Sequence, residues 1–218
     1  MISRSAKSFY YSIARIPMWV NAKLYRTFRQ SSAPLMVHLG CGQKNYILGW
    51  LNVDANIVTA RRDLWANLLD GLPFRDDSVE RFYSFHVIEH LPDERLKEHF
   101  QEMYRALTPG GVIRVGGPSL DNACRKFVEN DRAWFYDFPD SRASVGGRFV
   151  NFIFCRGEHL TALSESYLRE IAEAVGFRDV RFCLPVLQSE YGFESVLPFE
   201  SESHPECAHS IILEARKS

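Results

Sequence analysis

The chain of 218 residues is long enough for one domain with a substantial core, or for one domain and a small cap. Its hydrophobic share of 46% and charged share of 24% are ordinary for a globular protein, and a net charge of −1 excludes any general electrostatic pull toward nucleic acid. Cys41, Cys124, Cys155, Cys183 and Cys207 are scattered and form no Cys-x-x-Cys pair, which excludes a cysteine zinc site and a disulfide framework and leads us to expect a cytoplasmic setting.

Residues 1–34 form a basic, aromatic-rich leader: Arg4, Lys7, Arg15, Lys23, Arg26 and Arg29 all precede the first acid, Asp54. No apolar run reaches the ~18 residues of a membrane span, and the uninterrupted apolar core of a secretory signal is missing. The composition is also that of an organellar transit peptide. Phe9, Ile13, Ile16 and Val20 are spaced for one helical face. Pro17 is expected to split the segment into two short helices, because proline suits a first turn and not an interior. The apolar face is expected to pack on the rest of the chain. The alternative, given the mixture of basic and aromatic residues, is peripheral contact with an anionic membrane surface.

From residue 35 to 118 strand-like and helix-like patterns alternate, which argues for parallel βαβ units in an α/β fold. Residues 119–157 read as an irregular, aromatic cap. After residue 158 order returns, with a helix from about Ser164 to Val175, a strand near Val180 and a last strand "SIILEARK". Ser164 suits the N-cap, Leu168, Ile171, Ala172 and Val175 form one apolar stripe, and Gly176 suits the left-handed residue after the last turn.

The first chemical signal is Val37-His38-Leu39 followed by Gly40-Cys41-Gly42, an apolar strand ending in a turn where backbone N–H groups can approach a ligand that a Cβ would block. Asp54 ends the next strand, at the carboxyl edge where parallel sheets bind ligands, and its carboxylate can accept both hydroxyls of a ribose. Only nine residues, Gln43 to Leu51, link the turn to that strand. A parallel crossover normally needs a dozen or more, so the covering helix is expected to be lost or reduced to a turn. The exposed sheet face then needs another cover, which we expect from the leader helix or from Trp50 and Tyr46.

The ordered blocks LGCG, GW-x-NVD, DL, LPF-x-D-x-S, HV-x-EHL and LTPGG with "VIRVGGP" behind it resemble the class I S-adenosylmethionine-dependent methyltransferases, in particular a small bacterial branch associated with sugar and polysaccharide biosynthesis. The resemblance implies a Rossmann-like, doubly wound, mostly parallel seven-stranded sheet with an antiparallel last strand and a shortened first crossover helix. It implies S-adenosylmethionine as cofactor, with Gly40 and Gly42 at its methionine part, Asp54 on the ribose, and Asp63 and Leu64 at the adenine. Ser84, Phe85 and His86 would line the sulfonium end. His38 stands where the wider family carries an acid and is counted with this set. By this reading the chain methylates a small-molecule or glycan-like acceptor, in the cytoplasm or at the inner face of the membrane, with no nucleic acid involved.

On the acceptor side, His159 is the candidate general base, with Glu158 orienting it and His86 as a second candidate, since histidine titrates near neutrality. Trp134, Phe135, Tyr136 and Phe138 either stack on a sugar or form the cap's own core. His86-x-x-Glu89-His90 matches a zinc-peptidase pattern, but Pro92 and the preceding strand deny it the helix it needs. No metal is therefore expected, and Glu89 and His90 are read as orienting the helix that follows. A nicotinamide enzyme would want a third glycine after Gly42, which this chain lacks. The remaining alternative is a methyltransferase-like scaffold without turnover.

Overall fold

In a computed structural model, which describes residues 4–218 with side chains from Phe9 onward, the chain forms one seven-stranded sheet. Its strands are β1 (Leu35–Leu39), β2 (Leu51–Asp54), β3 (Leu64–Trp65), β4 (Val79–Phe85), β5 (Leu107–Pro118), β6 (Arg178–Cys183) and β7 (Ser210–Arg216). They lie in the order β3-β2-β1-β4-β5-β7-β6. β1 pairs in parallel with β2 and β4, and β5 continues the parallel set, while β7 runs antiparallel between β5 and β6. This is the Rossmann-like architecture expected from the sequence. The order reverses at β1, and the crevice at such a switch point is where open α/β sheets bind ligands.

One face of the sheet is covered by helices α2 (Asp93–Ala106) and α5 (Glu165–Val175). Alternation along β1 sends Val37 and Leu39 to this side, where they meet Phe82, Ile113 and Val115 together with Leu96, Phe100 and Met103 of α2 and Leu168 and Ile171 of α5. The ends of α5 are built as its sequence indicates. Ser164 Oγ accepts from Tyr167 N at 3.3 Å, and Gly176 closes the helix with φ +115°.

The other face carries no helix between β1 and β2: residues 40–50 form only turns. Trp50 and Ile47 from that short link are buried there against Tyr83, Phe85 and Ile212. Tyr46 does not join them; its hydroxyl donates to Asp63 at 2.7 Å instead. The leader does not cover this face either. Its place is taken by the loop between β6 and β7, which inserts Phe193 and Val196.

That loop is held by a fully buried ion group. Arg114, at the middle of β5, donates Nε and Nη2 to the two oxygens of Glu200 at 2.7 and 2.8 Å, and Nη1 to Glu214. The glutamates in turn accept backbone amides of the loop: Glu200 takes Val186 N at 2.8 Å, and Glu214 takes Glu190 N and Tyr191 N at 2.8 and 3.0 Å. Charges are tolerated in such a place only when paired and further hydrogen-bonded, and here the loop backbone supplies the further bonds, to Glu200 Oε2 and Glu214 Oε2.

Helix α1 (Arg4–Leu24) runs unbroken through Pro17, contrary to the expected split. Pro17 lies on an exposed side of the helix, so the Ile13 carbonyl it leaves unbonded is open to water. The face that packs is also not the expected one. Ala14 and Met18 are buried, Asn21 Nδ2 donates to the Trp65 carbonyl at 2.8 Å, and Phe9, Ile13, Ile16 and Val20 turn outward. The helix lies along β3 and protects that edge strand from pairing. Residues 119–157, expected to be irregular, contain α3 (Leu120–Val128) and α4 (Val145–Phe154), N-capped by Ser119 and Ser144.

Two stability predictions follow from this packing. Arg114→Met leaves two buried carboxylates without a counter-charge and should cost about 3–5 kcal/mol in urea unfolding. His38 and His99 are pushed down to about 4 by burial. Each binds a proton near pH 6.5 in the unfolded chain but only near 4 in the fold, so stability is full above 6.5 and falls as the pH drops toward 4. The loss should approach about 3 kcal/mol per histidine. Neither ring nitrogen of His99 has a partner among the described residues, so His99→Leu should flatten the dependence of melting temperature on pH without loss at neutrality.

Candidate active site

At the carboxyl edge β1 runs into the glycine turn. Gly40 has φ +73° and Gly42 φ +56°, a left-handed backbone that glycine adopts at no cost. A Cβ on Gly40 would lie 2.2 Å from Val87 Cγ2, so this glycine lets the segment after β4 close over the turn. A Cβ on Gly42 would meet nothing within 4 Å; this part of the turn borders open space.

Asp54, half-buried at the end of β2, fastens the turn. Its Oδ2 accepts from Gly42 N at 2.8 Å and its Oδ1 from Asn56 N at 2.7 Å. Each oxygen keeps a further lone pair, so a diol can still be bound by a carboxylate whose orientation the backbone has already set. Ser84 ends up in β4 with its hydroxyl buried and unpartnered among the described residues. An open glycine cradle, a fixed carboxylate and an orphaned hydroxyl at one sheet edge suit a cofactor that combines a ribose with an amino-acid tail.

The structure does not gather every expected residue. Asp63 precedes β3, and its carboxylate is taken up by Asn52 N at 2.8 Å, Asn52 Nδ2 at 3.0 Å and the Tyr46 hydroxyl. Leu64 is buried in the core beside Val53. The carboxyl end of β3 is followed instead by Ala66 and Asn67, and Asn67 Oδ1 caps the short turn beyond by accepting Leu69 N at 3.1 Å. His38 points to the opposite face, where its Nδ1 donates to Asn52 Oδ1 at 3.1 Å and its ring packs on Tyr83. It is a core residue and does not reach the cradle. Phe85 joins that same second core.

His86 has a left-handed backbone, φ +55°, and both its nitrogens are engaged, Nδ1 with Glu89 Oε1 and Nε2 with Ser210 Oγ, each at 3.1 Å. The Glu89 carboxylate and the Ser210 hydroxyl thus fix the orientation of this ring. Glu89 and His90 lie in a single tight turn, Ile88–His90, and do not serve as caps of α2. They turn toward His159. His90 Nδ1 donates to the Glu158 carbonyl at 2.9 Å, the His90 and His159 rings stand 5.0 Å apart, and the Glu89 carbonyl accepts from Leu160 N at 2.7 Å. One donor atom each from Glu89, His90 and His159 falls within 4.8 Å of the others.

The Ile153 carbonyl orients His159, whose Nδ1 donates to it at 3.0 Å. This bond fixes the tautomer and leaves Nε2 as the basic nitrogen. Burial pushes the His159 ring below its ordinary value, more than the nearby Glu89 carboxylate raises it. Glu89 is buried and its Oε2 has no partner among the described residues. Burial alone would raise its carboxyl, but the His86 hydrogen bond and the two neighbouring imidazoles hold it below the usual carboxylate range.

In the cap, Trp134 and Phe135 are interior residues, packed with Ala123 and Ile153. Tyr136 and Phe138 are exposed, and Tyr136 stacks on His209 at 4.1 Å between centroids. Tyr10 on α1 was not foreseen. Its hydroxyl donates to the Ala55 carbonyl at 2.6 Å and accepts from Ile57 N at 3.1 Å, locking the leader onto the loop just past Asp54. Nothing in the local sequence marks it, because its partners are 45 and 47 residues away.

Comparison with known proteins bears on the fold. A methyltransferase-domain family model matches residues 55–115, from just past Asp54 into β5. The mouse protein "Probable tRNA methyltransferase 9B" is 28% identical over 124 residues, 49% of this chain but 27% of that protein, so the chain spans about a quarter of its length. Among solved structures, an S-adenosylmethionine-dependent methyltransferase from Archaeoglobus fulgidus superposes with TM-score 0.53 at 17% identity, covering 95% of this chain and 100% of the other. A methyltransferase from Thermotoga maritima described as "possible histamine N-methyltransferase" gives 0.53 at 14%, covering 97% and 95%. At such identities these structures speak for the fold. The matched segment begins just after Asp54 and takes in β3, β4 and part of β5, and the whole sheet has the Rossmann-like fold of these S-adenosylmethionine-dependent methyltransferases.

Proposed function

We propose that this methyltransferase acts at an oxygen of a small-molecule or glycan-like acceptor, in the chemistry of sugar and polysaccharide biosynthesis, and that it works in the cytoplasm. The observation that carries the reading is His159, a half-buried imidazole with Nδ1 tied to Ile153 and Nε2 left basic. A hydroxyl needs a base during attack, whereas a thiol or amine needs less help. The mouse relative is named for tRNA. Its alignment covers 49% of this chain, and the net charge of −1 offers little to a polyanion.

Bound S-adenosylmethionine supplies a methyl group already activated by the positive charge of its sulfur. The chain's own task is to align, exclude water and take one proton. Asp54 would hold the ribose hydroxyls and the Gly40–Gly42 turn the amino-acid tail. Asn67 and Leu68, at the carboxyl end of β3, would meet the adenine in place of Asp63 and Leu64. Glu89, ionised and buried, holds His86 and lends negative charge to the side where the cationic sulfur would sit. His159 takes the acceptor's hydroxyl proton at Nε2, and the resulting imidazolium is stabilised by Glu89. Tyr136 and Phe138 are the aromatic surface left for a sugar ring.

Asp54→Ala should weaken binding of S-adenosylhomocysteine by roughly a hundredfold in calorimetry, since it removes a charged acceptor from two hydroxyls. Asp63→Ala should leave that affinity within about threefold, a change worth under 1 kcal/mol; equal losses in both variants would restore Asp63 to the adenine site. His159→Ala should lower kcat by about 10²–10⁴ with cofactor affinity intact. In the wild type the rate should fall as pH drops below the ordinary histidine value of 6.5, because the reactive form is neutral and burial delays its protonation. A full rate in His159→Ala, or an unchanged acidic limb, would remove His159 as the base.

A further inference from the structure

The side of α1 that turns away from the domain is apolar. At about 100° per residue, Phe9, Ile13, Ile16, Val20 and Leu24 fall within an arc of about 80° centred opposite Met18, which is completely buried under the helix. Phe9, Ile13 and Ile16 are 68%, 61% and 72% exposed. Single exposed apolar residues are ordinary, but a continuous stripe along about four turns marks a contact surface. The sheet cannot be its partner, because the opposite face of the same helix already packs on β3 through Ala14, Met18 and Asn21.

Charge says what the partner is. The leader carries six basic residues and no acid. Arg15 and Arg26 bond Asp70 and Asp76, while Lys23 lies beside the stripe, 5.7 Å over the half-exposed ring of Trp19. Pairing two such helices from two copies would bring two basic segments together, whereas an anionic lipid surface answers both the stripe and its charged border. No helix of the described residues is long and apolar enough to cross a membrane, so contact would lie in the interface plane.

We propose that α1 docks the enzyme on an anionic membrane surface, with Phe9, Ile13, Ile16, Val20 and Leu24 toward the acyl chains. Tyr10 connects this anchor to the site: it ties the helix to Ala55 and Ile57, next to Asp54, and Val58 in the same loop is 76% exposed. Docking would therefore hold the cofactor-binding edge beside the bilayer. The inference goes beyond the acceptor reading and does not depend on it.

The test is flotation of the full chain with vesicles of phosphatidylcholine alone and with about 30% phosphatidylglycerol added. The wild type should float with the anionic vesicles, less so at high salt. Ile13→Asp combined with Ile16→Asp should reduce the bound fraction at least about tenfold while melting temperature and S-adenosylhomocysteine affinity stay at wild-type values. The inference is overturned if the wild type stays unbound, or if the double variant floats equally well. A wild type that is dimeric by light scattering and becomes monomeric in the double variant would overturn it too, by showing that the stripe pairs two copies.

Discussion

The site depends on one carboxylate meeting two backbone amides. Asp54 accepts from Gly42 on one side and Asn56 on the other, and so joins the ends of β1 and β2 into a single rigid rim. Glycine makes the turn feasible but cannot hold it, since its freedom is lost entropy on folding. A charged acceptor bonded to two amides supplies the restraint. The same residue is thereby aimed before any ligand arrives, which lowers the ordering cost of binding.

The second constraint is a shortage of chain. With eight residues between Gly42 and β2 there is no helix to shield one face of the sheet. The fold replaces it with a long C-terminal loop whose backbone is bonded to buried glutamates around Arg114. Apolar contacts from Trp50, Phe193 and Val196 cover the area, while the ion group fixes where the loop lies. Burial is non-directional and cannot position a loop by itself; a bidentate arginine–carboxylate pair can.

Around His159 the arrangement is one of shared carbonyls. Ile153 and Glu158 each take an imidazole N–H, so two rings 5.0 Å apart keep their remaining nitrogens available next to a buried carboxylate. His86, the histidine that sequence spacing placed in a metal pattern, is diverted to Ser210 and Glu89. The left-handed backbone of His86 is the physical cause: it swings the ring away from the axis that a helix would have given it.

By itself the sequence determined the sheet, the glycine turn with Asp54, the missing crossover helix and the caps of α5. All of these follow from patterns within a few residues: alternation, glycine spacing, link length and N-cap chemistry. Tertiary structure decided the rest. The resemblance puts Asp63 and Leu64 at the adenine; in the fold the Asp63 carboxylate is bonded by Asn52 and Tyr46 and Leu64 lies in the core, contacts that depend on strand register and not on sequence order. The apolar stripe of α1 was legible as a stripe, yet its direction was not. Tyr10, Asn21 and Met18 orient the helix through partners dozens of residues distant, and local periodicity carries no information about which side of a helix meets its neighbour.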